Sequence, residues 1–94
     1  MIPPTITLLY PEEEAILSDT VRVRVDVNDN VGVDSVQFFV DGELEATDID
    51  GVPWGFDWDT GPIADSQTHT LYIKAFDESG NIGSQGPILF TINP

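Results

Sequence analysis

The segment that most constrains the fold is VRVRVDV, residues 21–27, in which valine occupies every second position. Successive side chains of a β-strand point to opposite faces, so one face of this segment is apolar and the other carries Arg22, Arg24 and Asp26. The pattern therefore predicts a strand with one face buried and the other in water.

The same period of two recurs along most of the chain, with turn-forming residues between the segments. Asp41 and Gly42 supply two positions that tolerate a positive φ angle, which predicts a tight hairpin between the strands on either side. No segment has a sustained helical period, so we predict one all-β sandwich domain over residues 1–94 with seven short antiparallel strands. The predicted strands are TITLLY, VRVRVDV, SVQFFV, ELEATDI, WGFDWD, HTLYIKAFD and GPILFTIN, and PEEE with SDT is predicted as a turn. The predicted core consists of Val23, Val25, Val36, Phe38, Val40, Phe56, Trp58, Leu71, Ile73, Ile88 and Phe90.

Acidic residues dominate the charge of the chain, with 17 Asp and Glu against 3 Lys and Arg and a formal net charge of −14. Nucleic-acid binding depends on clustered Lys and Arg that neutralise phosphates, so this composition argues against a nucleic-acid partner. Acidic membrane surfaces are disfavoured for the same reason, and no apolar run approaches the roughly 20 residues of a membrane-spanning helix. The absence of cysteine excludes disulfides and thiolate metal sites.

Five segments of the sequence resemble the bacterial Ig-like domains that recur in large secreted and cell-surface proteins. They are PPTITLLYP, NDNVGVDSVQFFVDG, WGFDWDT, HTLYIKAFDESGNIG and ILFTIN. The resemblance implies a Greek-key, immunoglobulin-like sandwich whose two chain ends leave at opposite poles. It also implies a non-catalytic structural, spacer or adhesive module of an extracellular or cell-surface protein, with the neighbouring domains as partners. We accordingly expect the chain to be a piece of a longer protein.

The sequence carries no recognisable catalytic motif. His69, the single histidine, stands between Thr68 and Thr70 at a strand start, and there is neither a G-x-S-x-G motif nor a cysteine nucleophile. No glycine-rich loop precedes a helical pattern, so a phosphate-binding loop is not available. We predict that the domain is not an enzyme, that it requires no cofactor and that His69 is a strand-end residue.

The alternation also places three aromatic rings, Phe39, Tyr72 and Phe76, on the outer face of one sheet. Exposed apolar area marks contacts, so these rings could stack on sugars or pack on a neighbouring domain. The alternative function is therefore a carbohydrate-binding accessory module, with polysaccharide as the partner and Phe39, Tyr72 and Phe76 as its binding residues. In the other interpretation, loops or a long side chain such as Lys74 cover the rings.

Charged residues on two other predicted strands face outward. Arg22 and Arg24 lie on the second predicted strand, and Asp57 and Asp59 lie on the fifth. In an immunoglobulin-like order these strands are neighbours, which predicts a cross-strand ladder of ion pairs.

Two acidic loops, DVNDN and DESGN, are expected to meet at one end of such a sandwich. Carboxylate and amide oxygens from two loops can supply the six to eight hard ligands that calcium requires. This predicts a calcium site at Asp29, Asn30 and Asp77. In the alternative interpretation Asp29 and Asn30 cap a turn, and Asp77 accepts hydrogen bonds from amides of its own loop.

Overall fold

The chain is described by a computed structural model over residues 3–29, 32–51 and 54–93, and these residues form eight β-strands in two sheets. A short 3₁₀ turn at Gly61–Ile63 precedes the seventh strand. The predicted all-β sandwich is confirmed. The strands are β1 (Thr5–Tyr10), β2 (Ile16–Leu17), β3 (Thr20–Asn28), β4 (Val33–Val40), β5 (Glu43–Asp48), β6 (Trp54–Asp59), β7 (Thr68–Asp77) and β8 (Ile82–Ile92).

The strands are divided between a sheet with the order β1-β3-β6 and a sheet with the order β2-β8-β7-β4-β5. The predicted hairpin joins β4 to β5, and Asp41 and Gly42 in its turn both have a positive φ angle. Paired strands run antiparallel, except that β2 runs parallel to β8. The chain therefore crosses from the first sheet to the second between β1 and β2.

The predicted count of seven strands, all antiparallel, is wrong. The structure has an eighth strand, the short β2, which runs parallel to β8. Ile16 pairs with Thr91 and Leu17 with Ile92, in the stretch between the predicted turn segments PEEE and SDT. Leu17 is buried, so this stretch contributes to the core instead of only reversing the chain. The last strand also begins at Ile82, ahead of the predicted start at Gly86.

The core lies between the two sheets, and every predicted core residue is buried. Aromatic rings connect the sheets through its centre. Phe38 on β4 lies 4.6 Å from Phe56 on β6, Phe56 lies 6.3 Å from Trp58, and Trp58 lies 6.0 Å from Phe90 on β8, measured between ring centroids. These distances fall within the range of favourable aromatic pairs.

The folded domain is a rod of about 42 × 21 × 21 Å. At the N-terminal pole, Thr5 pairs with Asn28, and the backbone N–H of Glu78 donates to the carbonyl of Gly32. At the C-terminal pole, Ile92 pairs with Leu17 and accepts a hydrogen bond from the backbone of Ser66. The two described ends of the chain thus lie at opposite poles. None of the described residues belongs to a helix long and apolar enough to cross a membrane.

Candidate functional sites

The outer face of the larger sheet brings Phe39 and Tyr72 together. They are register partners on β4 and β7, and their ring centroids lie 6.3 Å apart at an interplanar angle of 59°. The ammonium group of Lys74 lies 5.3 Å from the Phe39 ring centroid and 6.0 Å from that of Tyr72, so it can make a cation–π contact with both. The rings are half-buried, and Lys74 covers part of them.

Phe76 lies farther along the same face. It is four residues beyond Tyr72 on β7, which corresponds to about 13 Å at a strand rise of about 3.3 Å per residue. Its register partners are Ser35 on β4 and Ile82 on β8. The three predicted rings therefore share a face, but Phe76 is not part of the ring pair that contacts Lys74.

Two exposed aliphatic side chains extend this face toward the sheet edges. Leu44 on β5 is the register partner of Phe39, and Ile82 on β8 is the register partner of Phe76. Both are more than half exposed. The sequence prediction did not include them, although pairing the two strands of the hairpin would have placed Leu44 beside Phe39. We name the following set the outer face, and none of its members is acidic: Ser35, Gln37, Phe39, Leu44, Thr47, Tyr72, Lys74, Phe76, Ile82 and Ser84.

The N-terminal pole contains the predicted calcium residues. The loop DESGN contacts the turn that follows DVNDN, through the hydrogen bond from Glu78 to Gly32. One carboxylate oxygen of Asp77 accepts hydrogen bonds from the backbone N–H groups of Ser79 and Asn81 at 2.9 and 2.7 Å. The other accepts from the side-chain amide of Asn81 at 2.8 Å. Both oxygens of Asp77 are thus engaged within its own loop.

The environment of Asp77 lowers its pKa. Burial alone would raise the pKa, but the hydrogen bonds from Asn81, Ser79 and Gly80 favour the ionised carboxylate and outweigh it. Asp29 accepts a hydrogen bond from the backbone N–H of Gly32 at 3.1 Å, which closes the turn between β3 and β4.

Calcium binding at this pole stays a prediction. Asn30 lies outside the described residues. Within the described part of the chain, no group of three or more His, Asp or Glu side chains converges on a possible metal position.

The C-terminal pole contains an arrangement that the sequence did not predict. His69, the second residue of β7, lies between two carboxylates, with Nδ1 2.6 Å from Oδ2 of Asp41 and Nε2 2.8 Å from Oδ1 of Asp65. Its side chain is only 12% exposed. The hydrogen bonds to Asp41 and then to Asp65 raise the pKa of His69.

The predicted ion-pair ladder is reduced to one contact among the described residues. Arg22 Nη1 lies 3.4 Å from Asp57 Oδ1, and the two residues are register partners on β3 and β6. Arg24 faces Gly55 instead, and Asp59 faces Thr20. Because both side chains of the remaining pair are well exposed, the pair stabilises the domain by at most about 1 kcal/mol.

Comparison with the sequence profiles of protein families gives a match over most of the chain. The profile described as Bacterial Ig domain matches residues 4–73 of the 94. The chain belongs to the bacterial Ig domain family. No curated protein matches this Ig domain.

Solved structures with the same fold include parts of two longer proteins. The fibronectin(III)-like modules of Clostridium thermocellum CbhA superpose with a TM-score of 0.80 at 20% identity, over 99% of this chain and 48% of that one. The endo-beta-1,4-mannanase of Thermotoga petrophila superposes with a TM-score of 0.73 at 19% identity, over 100% of this chain and 21% of that one. The Ig domain therefore spans less than half the length of either chain, and at these identities the similarity concerns the fold.

The environment of His69 in this Ig domain does not suit a general base. A base that activates a nucleophile needs a free ring nitrogen directed at it, but both nitrogens of His69 contact carboxylates. The arrangement also does not suit a metal, because the two carboxylates lie at opposite ring nitrogens instead of converging on one point. Its chemistry is that of an ionic contact between three segments of the chain.

Proposed function

We propose that this Ig domain is a non-catalytic spacer module that separates neighbouring domains of an extracellular multidomain protein. The observation that carries the proposal is the placement of the chain ends at opposite poles of a rod 42 Å long. A chain that enters at one pole and leaves at the other adds its full length to the distance between its neighbours. The family assignment and the longer chains that contain the same fold support this role.

The spacer role is tested by the distance between the two ends in solution. The chain has no cysteine, so cysteines introduced at Pro3 and Asn93 can carry two spin labels without competing sites. We expect a narrow distance distribution centred at about 33 Å, because Pro4 lies against Gly83 and the extended chain from Gly83 to Asn93 covers ten rises of about 3.3 Å. A control pair at Gln67 and Asn93, both at the C-terminal pole, should give a short distance.

The same experiment separates a spacer from a flexible connection. A Gly/Ser chain of n residues has an end-to-end distance of about 5–6 Å × √n with a broad distribution, and the urea-unfolded domain provides a similar broad reference. A broad distribution in the folded domain, or a distance well below the span of β8, would contradict the spacer role.

The outer face supports a second candidate function, the binding of an uncharged polysaccharide. Phe39 and Tyr72 present half-exposed rings that can stack on sugars, and Gln37, Thr47 and Ser84 offer hydrogen-bonding groups beside them. None of the register partners that form the outer face is acidic, and the exposed Glu45 lies in the bulge between Leu44 and Ala46 at its edge.

Affinity gel electrophoresis in soluble xylan, glucomannan or hydroxyethyl cellulose tests this second function. Retardation of the domain that Phe39→Ala and Tyr72→Ala both abolish would support it. Ile49→Ala is the matched control, since it removes an exposed apolar side chain outside the outer face. Unretarded migration in all three polymers would exclude the proposal, as would retardation that survives Tyr72→Ala.

A further inference from the structure

The contact of His69 with two aspartates connects three separate segments at the C-terminal pole. Asp41 belongs to the turn between β4 and β5, His69 to the start of β7, and Asp65 to the loop that precedes β7. The strands β4 and β7, which bear the turn of Asp41 and the ring of His69, are neighbours in one sheet. The loop of Asp65 lies outside both sheets. The imidazole ring therefore joins a hairpin turn to a loop that the hydrogen bonds between β4 and β7 do not reach.

The geometry of this contact requires a charged imidazole. An ionised carboxylate only accepts hydrogen bonds, whereas a neutral imidazole has one N–H donor and one acceptor nitrogen. Contacts of 2.6 and 2.8 Å from the two ring nitrogens to two carboxylates are therefore both hydrogen bonds only when His69 carries two protons. After loss of one proton, a nitrogen lone pair faces a carboxylate and that contact becomes repulsive.

The loop that Asp65 anchors also holds the last strand. The N–H of Ser66 donates to the carbonyl of Ile92 at 2.8 Å, and the N–H of Ile92 donates to the carbonyl of Gln67 at 3.2 Å. Asp65 also accepts a hydrogen bond from the N–H of Gln67, through the same oxygen that contacts His69. A shift of Asp65 is thus transmitted directly to the backbone that pairs with the end of β8.

On the other side of the ring, the turn is held by its own hydrogen bonds. Asp41 donates its N–H to the carbonyl of Thr70 at 3.0 Å, and its second carboxylate oxygen accepts from the N–H of Thr70 at 2.9 Å. Asp41 therefore stays in place without His69, whereas the contact of Asp65 with the turn depends on the ring.

We propose that Asp41, His69 and Asp65 form a pH-dependent clamp, which holds the loop before β7 and the end of β8 while His69 is protonated and releases them when it is neutral. The clamp does not depend on the proposed spacer role, because it acts within the isolated domain. In a spacer it would control how firmly the last strand is held where the chain leaves the rod.

The direction of the pH dependence follows from the three groups. The pKa of His69 is raised above 6.5 in the folded state. Its contribution to the stability of the fold is therefore complete below pH 6.5 and is lost as the pH rises through the folded-state pKa. Burial would raise the pKa of Asp41, but the hydrogen bonds from His69 and Thr70 lower it, and the hydrogen bond from His69 lowers that of Asp65. The contributions of the two carboxylates to the stability of the fold are therefore complete above pH 3.8 and are lost only as the pH falls below it. On β8 the register partner of His69 is the uncharged Phe90.

The single histidine makes the clamp directly measurable by NMR, because one set of imidazole resonances reports the titration. We expect a pKa above 6.5 in the parent domain and a lower pKa in both Asp41→Asn and Asp65→Asn. Asparagine tolerates the positive φ angle of Asp41, so the turn is retained. Asp34→Asn, at the N-terminal pole, removes the same charge without touching His69 and measures the background effect of the net charge of −14.

The backbone amide signals of Ser66 and Gln67 provide the second readout. We expect their chemical shifts to titrate with the midpoint of His69 in the parent domain and to be independent of pH in this range in His69→Gln. The clamp is refuted if Asp41→Asn and Asp65→Asn lower the pKa of His69 no more than Asp34→Asn does. It is equally refuted if His69 titrates while the two loop amides do not respond.

Discussion

Truncation of Trp58 to alanine is the strongest single test of the core. The ring is 1% exposed and pairs with Phe56 at 6.3 Å and with Phe90 at 6.0 Å, so it contacts aromatic side chains from both sheets. Replacing a buried Trp with Ala costs about 3–5 kcal/mol, and aromatic pairs contribute about 0.5–1.5 kcal/mol each beyond burial. Because both aromatic pairs are lost, we expect Trp58→Ala to lower the free energy of unfolding by about 4–5 kcal/mol, the upper part of this range.

This loss is large relative to the stability of a domain of this size. At about 0.05–0.15 kcal/mol per residue, 94 residues correspond to about 5–14 kcal/mol of unfolding free energy. In urea, with a slope of about 2 kcal/mol per M, Trp58→Ala should lower the unfolding midpoint by about 2 M. Far-UV circular dichroism is the appropriate assay, because the mutation removes a fluorophore.

Two further variants make the result interpretable. Trp58→Phe retains an aromatic ring and should recover part of the loss, whereas Ile49→Ala, at a position 72% exposed, should change stability by less than about 0.5 kcal/mol. A midpoint for Trp58→Ala indistinguishable from that of Ile49→Ala, at an unchanged slope, would refute the packing of the two sheets around this ring.

Three further predictions concern the N-terminal pole and the smaller sheet. Gly83→Ala would place a Cβ atom 1.9 Å from the carbonyl oxygen of Pro4, so the backbone at Pro4 or at residue 83 must shift, and we expect a loss of about 1–3 kcal/mol in urea unfolding; an unchanged midpoint would contradict this close approach. Because both oxygens of Asp77 accept hydrogen bonds within its loop, millimolar calcium should raise the Tm no more than magnesium at equal ionic strength. A rise specific to calcium that Asp77→Asn removes would instead support the predicted metal site. Arg22→Gln should cost at most about 1 kcal/mol and lose its effect in high salt, since its pair with Asp57 is exposed; a larger loss would show a role beyond that pair.

The strands with a regular alternation could be predicted from the sequence because burial of one face imposes the period directly. The inward positions are apolar at every second residue over residues 21–27 of β3, 36–40 of β4 and 71–75 of β7, and this also fixes Phe39 and Tyr72 on the outer face. Their proximity depends only on the antiparallel register of two neighbouring strands. For this reason the alternation alone is enough to place both rings on the same face.

The strand segments that the sequence analysis did not predict are those whose pairing leaves no pattern in the local sequence. β2 has two residues, too few to show a period, and its partner Thr91 lies 75 positions away from Ile16. The first part of β8, from Ile82 to Gln85, is followed by Gly86 and Pro87, which usually end a strand. The strand continues past them because its pairing with β7 absorbs the irregularity as a register shift between Leu71 and Ile73.

The His69 clamp could not be predicted from the sequence either, and the reason is different. Its carboxylates come from a turn and a loop, and the position of Asp65 depends on the conformation of residues 60–67, which show no periodic pattern. A histidine beside two threonines at a strand start carries no information about what lies across from it. Only the three-dimensional arrangement reveals that both ring nitrogens are engaged.

With the proposed clamp, the two poles of the rod contain groups that respond to pH in opposite directions. At the N-terminal pole, the pKa of Asp77 is lowered, so its loop is held at every pH above 3.8 and loosens only in acid. At the C-terminal pole, the proposed clamp needs ionised Asp41 and Asp65 together with protonated His69, so it is complete from pH 3.8 to pH 6.5 and is lost as the pH rises through the raised pKa of His69. A pH above the raised pKa of His69 would then loosen the end of β8, while the loop of Asp77 between β7 and β8 stays in place. In a spacer joined at both poles, alkali would act on the C-terminal connection through His69, whereas the ionised carboxylate of Asp77 at the other pole has no proton to lose.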